Sequence, residues 1–454
     1  MNLLIKIILF FIILGPVPAS PLGQFLDTIQ IACVFLIIIF ALRRKSYLKN
    51  KNIKKDLRFL FAFFVYVIGV SFPFSLIIIN GNFSAEYINS MIRPLRILIT
   101  FFGVWATITL YYRQNQKSLF DNLCLDITRI VVLNGVIMFL QLFIPSFQTF
   151  LSNVLFNNIS AIHFQDVNRV GGLYLSGGAV PSMFQAIPLL IIPYLFKQKK
   201  IKSLTAIAWY LILTGSIIIT GRSGLILIPF SVLIMLNNSS FPKKVVLTTL
   251  ATALIMMLPL LLQNIYGWVQ STGNQKLLFN YDRLLTFTSI NPDKSNSDQT
   301  IAVILSKISL PDNVSQLLFG NVNFSNYLHT EVSDMGFNII LFKFGIIGFV
   351  LYYLSFFYMI FCIFRFKYLD KTASFFLKVT FIAYILLEFK EEVMYARNGY
   401  SIMLLLFFAA AISERQNLKK TKKSLVRDKN TVAMATYYNN SHKFLRNSGI
   451  HKTT

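Results

Sequence analysis

The chain has 454 residues, 55% hydrophobic, 15% aromatic and only 13% charged, where soluble domains carry roughly 25% charged residues. With a mean hydropathy of +0.61, so much apolar surface requires a lipid solvent, which excludes a soluble enzyme, a disordered chain and a secreted disulfide scaffold. The formal charge of +25, from 43 Lys and Arg against 18 Asp and Glu, would suggest nucleic acid only if the cations shared one exposed face.

Twelve apolar runs follow one another: 3–18, 24–42, 58–79, 92–111, 123–144, 180–196, 203–220, 223–237, 245–263, 345–366, 374–389 and 398–413. A helical span needs roughly 20 apolar residues. The first run, with Lys6 near its start and Ala19 and Ser20 after it, has the layout of a signal peptide. A second span follows within a few residues, so it reads as a retained helix. If the runs alternate across the membrane, the basic loops 43–58 and 197–202, the clusters at Arg113, Lys243 and Arg365, and the tail after Glu414 all fall on one side. By the positive-inside rule that side is cytoplasmic. The expected fold is therefore an all-α polytopic integral membrane protein of about 12 transmembrane helices with both termini cytoplasmic. Residues 1–413 form the membrane domain, and 414–454 form a basic cytoplasmic tail without fixed structure.

Two larger loops face outward, about 145–179 and about 264–344. Long loops with no obvious fold of their own usually carry function. Residues 335–344 are apolar but too short to span. They form an interfacial helix or extend the next span, with Gly345 and Gly348 as a bend. Cys33, Cys124 and Cys362 all lie within predicted spans, where they read as small buried apolar residues.

Charges near the bilayer are costly, so those on the outer side need water, headgroups or a ligand. Arg93 and Arg96 open the fourth span, Arg169 and Arg283 lie in the large loops, and Arg222 sits in the turn Thr220-Gly221-Arg222-Ser223-Gly224. Arg397 is a sixth. A guanidinium suits two-point binding of phosphate or diphosphate. Two glycines let the Arg222 turn close tightly, and a helix start attracts anions; the same arginine could equally anchor to lipid headgroups. Arg169 precedes Gly171-Gly172 and Gly177-Gly178, which suggests backbone folded against something. Arg283 could instead pair locally with Asp282, and Arg93 and Arg96, flanking Pro94, could serve as anchors.

The other constellation is His329-Thr330-Glu331-Val332-Ser333-Asp334, just before the tenth span. An imidazole with an ordinary pKa near 6.5 can accept a proton at neutral pH. In a helix Glu331 and Asp334 share a face, and the same residues also suit helix capping. Among the inner charges Asp126 and Arg129 are placed to pair, and Lys378 can snorkel. Glu388, Lys390, Glu391 and Glu392 read as a solvated charge run.

No P-loop, no Asp-x-Asp pair and no His/Cys metal set is present, so neither an ATP-driven pump nor a metal-dependent sugar-nucleotide enzyme is supported. Outward arginines beside a histidine–carboxylate cluster suit a lipid-linked diphosphate donor. The arginines would neutralise the departing diphosphate, with no metal and no cofactor, while a base takes a proton from the attacking hydroxyl.

At this point the chain resembles a known family. Ile219-Thr220-Gly221-Arg222-Ser223-Gly224-Leu225 resembles the arginine–serine–glycine turn of bacterial O-antigen polymerases and ligases. The segment His329 to Val350, chiefly Ser333-Asp334-Met335-Gly336-Phe337 and Phe344-Gly345-Ile346-Ile347-Gly348-Phe349, resembles their stretch after the large periplasmic loop. The resemblance implies metal-independent, inverting glycosyl transfer from an undecaprenyl-diphosphate-linked oligosaccharide in O-antigen or capsular polysaccharide synthesis. It implies a multi-pass protein of the bacterial inner membrane, working beside a flippase and a chain-length regulator and with no nucleic acid. Arg169 and Arg222 would bind diphosphate, Arg283 matches as an arginine early in the large loop, and His329 would be the base or orient the acceptor. The chain departs from the family pattern at three points. Arg169 is followed by glycine at Gly177 and Gly178 rather than ten residues on. Arg283 has no such glycine, and Thr330 stands where the family has asparagine. A polymerase is the reading the motifs favour. A ligase shares the donor, a flippase would place charges at mid-membrane, and a scaffold leaves the Arg222 turn unexplained.

Overall fold

The computed structural model describes residues 2–16, 28–42, 85–114, 118–155, 170–174, 179–237, 313–320, 336–389 and 398–421, with positions 270, 271, 273, 278, 310, 311 and 424. Predicted spans 58–79 and 245–263 lie outside the described residues, as do Arg169, Arg283, His329, Glu331, Asp334 and Arg397.

The described elements are helices: α1 (Asn2–Leu14), α2 (Thr28–Leu42), α3 (Ala85–Gln114), α4 (Leu119–Phe143), α5 (Pro145–Val154), α6 (Ala179–Lys197), α7 (Ser203–Thr220), a 3₁₀ turn (Arg222–Ile226), α8 (Leu227–Leu236), α9 (Val314–Phe319), α10 (Gly336–Phe364), α11 (Lys371–Glu388) and α12 (398–421). Among the described residues four helical stretches are long and apolar enough to cross a membrane, Leu119–Phe143, Val180–Lys197, Ser203–Thr220 and Phe344–Phe364. These apolar helices are those of a membrane protein. At 1.5 Å per residue, α6 with 19 residues is roughly 28 Å long, close to the ~30 Å hydrocarbon core.

The core is centred on α6, which packs against α4, α7, α8 and α11. Its residues Ala186, Ile187, Leu189, Leu190 and Ile191 are fully buried. With no hydrophobic drive between helices in lipid, such contacts depend on shape and on small residues. The crossing of α2 and α3 is an example. A side chain on Gly103 would lie 2.2 Å from Cys33 Cβ, so only glycine allows the approach. Cys33 and Cys124 are buried, as expected of small apolar residues.

The two ends of the helix assembly differ in character. At one end cations gather around a few carboxylates. Lys200 pairs with Asp121 at 3.2 Å, and the Tyr194 hydroxyl donates to Asp121 at 2.5 Å. Lys6 and Arg129 lie 3.7 and 3.6 Å from Asp126, so the expected Asp126–Arg129 pair forms. Lys197 donates to the carbonyls of Ile234 and Asn237 at the end of α8. Glu414, well inside α12, accepts from the amides of Lys367 and Tyr368 at 2.8 Å each. The opposite end has another chemistry. Asn398 donates to the carbonyls of Ile13 and Leu14 at 2.8 and 2.6 Å, so the last backbone acceptors of α1 are capped by a side chain from α12.

Two elements differ from the hydropathy reading, and a third takes one of the two forms it left open. First, α3 begins at Ala85, so Arg93 and Arg96 lie within the helix rather than at its start, and Pro94 is internal. Proline removes one backbone bond there, and sequence reasoning takes it for a boundary. Secondly, the run 223–237 opens with a 3₁₀ turn, and α8 itself has ten residues, about 15 Å of helix. Pro229 lies in its first turn, where no amide is needed. Thirdly, residues 336–364 form one helix with a break at Gly345, where φ is +65°. Both the extension and the bend were expected. The bend exists because α9 passes against it: a Cβ on Gly345 would lie 2.3 Å from the Leu318 carbonyl oxygen.

Candidate functional site

At the end away from the cations, the short segment 170–174 lies across the ends of α4 and α7. Its backbone is held by side chains that the apolar helices carry inward. Asn134 Oδ1 accepts from the Leu173 amide at 2.8 Å, and Gln141 Oε1 accepts from the Gly172 amide at 2.8 Å. Asn134 also donates to Gln185 Oε1 at 3.1 Å. Gln185 then donates to the Val131 carbonyl at 3.0 Å and to Ser216 Oγ at 2.9 Å. Asn134, Gln185 and Ser216 are fully buried. A buried polar network of this kind gives a unique arrangement because each unmet partner is costly.

Gly172 is the residue that allows the approach. Its φ is +66°, and a Cβ would lie 2.5 Å from Asn134 Oδ1. The expectation that Gly171-Gly172 folds against something is met here, and the partner is the end of α4. The Val170 amide donates to the Ile219 carbonyl at 3.3 Å. The chain immediately after Arg169 is thereby joined to the end of α7, three residues before Arg222.

The Arg222 turn is itself docked on α6. The Ser182 hydroxyl donates to the Gly221 carbonyl and accepts from the Gly224 amide at 2.9 Å. A Cβ on Gly224 would meet the Ser182 carbonyl oxygen at 2.3 Å. The close turn expected from the two glycines is present, with Gly221 extended (φ 177°). One detail alters the electrostatic expectation. The Gly224 amide, which a free helix start would offer to an anion, is already taken by Ser182. The Gly224 amide is therefore not free to bind an anion.

Tyr174 closes the segment. Its ring meets Phe184 edge-on at 6.4 Å between centroids. Its hydroxyl is buried and has no hydrogen-bond partner among the described residues, and burial pushes the phenol well above its ordinary pKa. Arg96, in α3, is half-buried, and α3 packs against α1 and α2.

A second feature of this end was misread from sequence. Glu388, taken as part of a solvated run, is fully buried and accepts from the Tyr353 hydroxyl at 2.7 Å. The start of α10, two residues after Asp334, packs beside it: Phe337 meets Phe389 at 4.8 Å and Tyr353 at 5.0 Å between centroids. A carboxylate taken out of water needs such a partner, and an ionisable group inside apolar helices is a functional candidate by default. Asn134, Ser182 and Gln185 were also missed. The signal for each was a polar residue inside an apolar run, which hydropathy averages away.

Replacing Asn134 by leucine is expected to destabilise the chain by about 1–3 kcal/mol, because it leaves the Leu173 amide and Gln185 without their buried partner. Thermal unfolding in detergent measures this, and an unchanged midpoint would show that the segment is not held from α4. No protein-family model, curated protein or solved structure matches this chain.

Proposed function

We propose that this protein joins undecaprenyl-diphosphate-linked oligosaccharide repeat units on the periplasmic side of the bacterial inner membrane. It would be a polymerase of O-antigen or capsular polysaccharide with about 12 spans and both termini in the cytoplasm. The observation that carries this reading is the hydrogen bond from Val170, which follows Arg169, to Ile219 at the end of α7, the helix that leads into the Arg222 turn, at the end opposite the cations. Backbone that neighbours Arg169 and backbone that carries Arg222 meet the same helix, α7, which suits a diphosphate that must be held while its bond breaks.

In the proposed reaction an acceptor sugar hydroxyl attacks the anomeric carbon of the donor. The new glycosidic C–O bond forms as the C–O bond to the diphosphate breaks, with inversion. The electron pair leaves on undecaprenyl diphosphate, whose charge is met by Arg169 and Arg222, with Arg283, Arg93 and Arg96 as further cations along the donor. The hydroxyl proton passes to His329, which Glu331 and Asp334 orient and keep basic. The donor's diphosphate linkage supplies the driving force, so neither ATP nor a metal is required.

Deletion in the native host tests the class. The expected result is a surface lipid bearing a single repeat in place of the ladder of chain lengths. Loss of all repeats would point instead to a ligase or flippase step, and an unaltered ladder would refute the proposal.

A further inference from the structure

We infer that the cation-bearing end holds a second site, a groove between α1 and α4 that binds an anionic glycerophospholipid of the surrounding bilayer. The groove has a volume of about 480 Å³ and is walled by Ile7, Phe10, Phe11 and Ile130, with Lys6, Arg129 and Asp126 at its polar part. It lies at the end remote from the 170–174 segment and the Arg222 turn, so the proposed transfer reaction does not use it.

The charge arrangement identifies the occupant. Asp126 is almost buried, with 9% of its side chain exposed, whereas the side chains of Lys6 and Arg129 are 52% and 55% exposed. The Tyr111 hydroxyl donates to Asp126 at 2.7 Å, which occupies the carboxylate from within. The two cations approach it only at 3.7 and 3.6 Å, longer than the ~2.7–2.9 Å of a tight charged hydrogen bond. Two exposed cations against one sequestered carboxylate leave one net positive charge facing the groove. A zwitterionic head balances itself and would leave that charge unmet. A singly anionic phosphodiester meets it, and its oxygens match the guanidinium fork.

The apolar wall identifies the rest. Ile7 is 44% exposed, and Phe10 and Phe11 continue from it along α1 away from Lys6, as an acyl chain would run from its headgroup. The depth also fits. Asp126 lies seven residues into α4, roughly 10 Å along its axis, and Lys6 lies four residues into α1. Both therefore sit near the boundary between headgroups and hydrocarbon, where cations snorkel towards phosphate.

The experiment uses the purified full-length chain in a neutral detergent, with bound lipid counted by native mass spectrometry. The probes are dioleoylphosphatidylglycerol, dioleoylphosphatidylcholine and sn-glycerol 1-phosphate. Phosphatidylglycerol is expected to bind saturably at one site, and Lys6→Gln with Arg129→Gln is expected to weaken it roughly 10- to 30-fold. Lys6→Arg with Arg129→Lys, which preserves charge, should restore binding. Ile7→Trp, which fills the trough at an exposed position, should abolish it with both cations in place and serves as the readout if the double variant fails to fold. Equal binding of phosphatidylcholine, equal binding by the glutamine variant, or equal binding of glycerol phosphate alone would each overturn the inference.

Discussion

Replacing Arg222 by alanine is expected to lower repeat-unit transfer by roughly 100- to 1000-fold, the usual cost of removing one group that meets developing anionic charge. The reason lies in the scaffold. The backbone on both sides of Arg222 is held, by the Gly221 amide on the Ile217 carbonyl at 2.8 Å and by Ser182 on Gly221 and Gly224. A group carried on fixed backbone loses little freedom when it binds, so its interaction is retained for the transition state. Lysine at this position keeps the charge but not the two-point geometry, and an intermediate rate is expected. His329→Ala tests the proton acceptor and is expected to cost roughly 100- to 10,000-fold. In the parent protein the rate should fall as the pH drops through the imidazole's range, and that limb should vanish in the alanine variant. The measurement is product length and initial rate with a lipid-linked repeat, at matched protein level. Unchanged polymer in both variants would sink the site assignment. Loss only in Arg222→Ala would pass the proton to Glu331 or Asp334, and loss only in His329→Ala would leave the diphosphate to Arg169 or Arg283.

Gly224→Val carries the second large effect. Its Cβ would lie 2.3 Å from the Ser182 carbonyl oxygen and 2.9 Å from Ala186 Cβ. Neither neighbour can retreat, because Ser182 and Ala186 are fully buried in α6, which is packed by four other helices. The turn must move instead, and its two hydrogen bonds to Ser182 are lost with it. Overpacking and the lost bonds together are expected to cost about 2–4 kcal/mol. Transfer should fall further than stability alone explains, since Arg222 moves with the turn. Ser182→Ala removes the same two bonds without adding an atom, and about 1–3 kcal/mol is expected. Thermal unfolding and transfer rate, measured on both variants, separate the two effects. A Gly224→Val protein with parental unfolding would show that the turn is not pressed on α6.

Much of the helical path was legible because lipid imposes a one-dimensional test, whether a stretch is apolar for long enough. The α7 and α6 boundaries follow the hydropathy closely. The Asp126–Arg129 pair was legible because its partners are one helical turn apart. The bend at Gly345 and the fold at Gly171-Gly172 were legible as glycines inside otherwise regular segments. What failed involved partners far apart in the chain. Glu388 looked solvated beside Lys390, Glu391 and Glu392, yet it is fully buried and bonded to Tyr353, 35 residues away. Pro94 looked like a helix boundary because its effect on a helix depends on what supports the neighbouring turns.

By itself the sequence determined the solvent of this protein and the course of most of its described apolar helices. These are properties of composition and of order along one axis. Tertiary structure decided which backbone reaches which helix: Leu173 on Asn134, Val170 on Ile219, and Gly224 on Ser182. Those meetings depend on the faces that α4, α6 and α7 turn towards each other. A polar residue in an apolar run looks the same in sequence whether it faces lipid or a partner, and only packing distinguishes them, because an unmet hydrogen bond in that interior is too costly to remain.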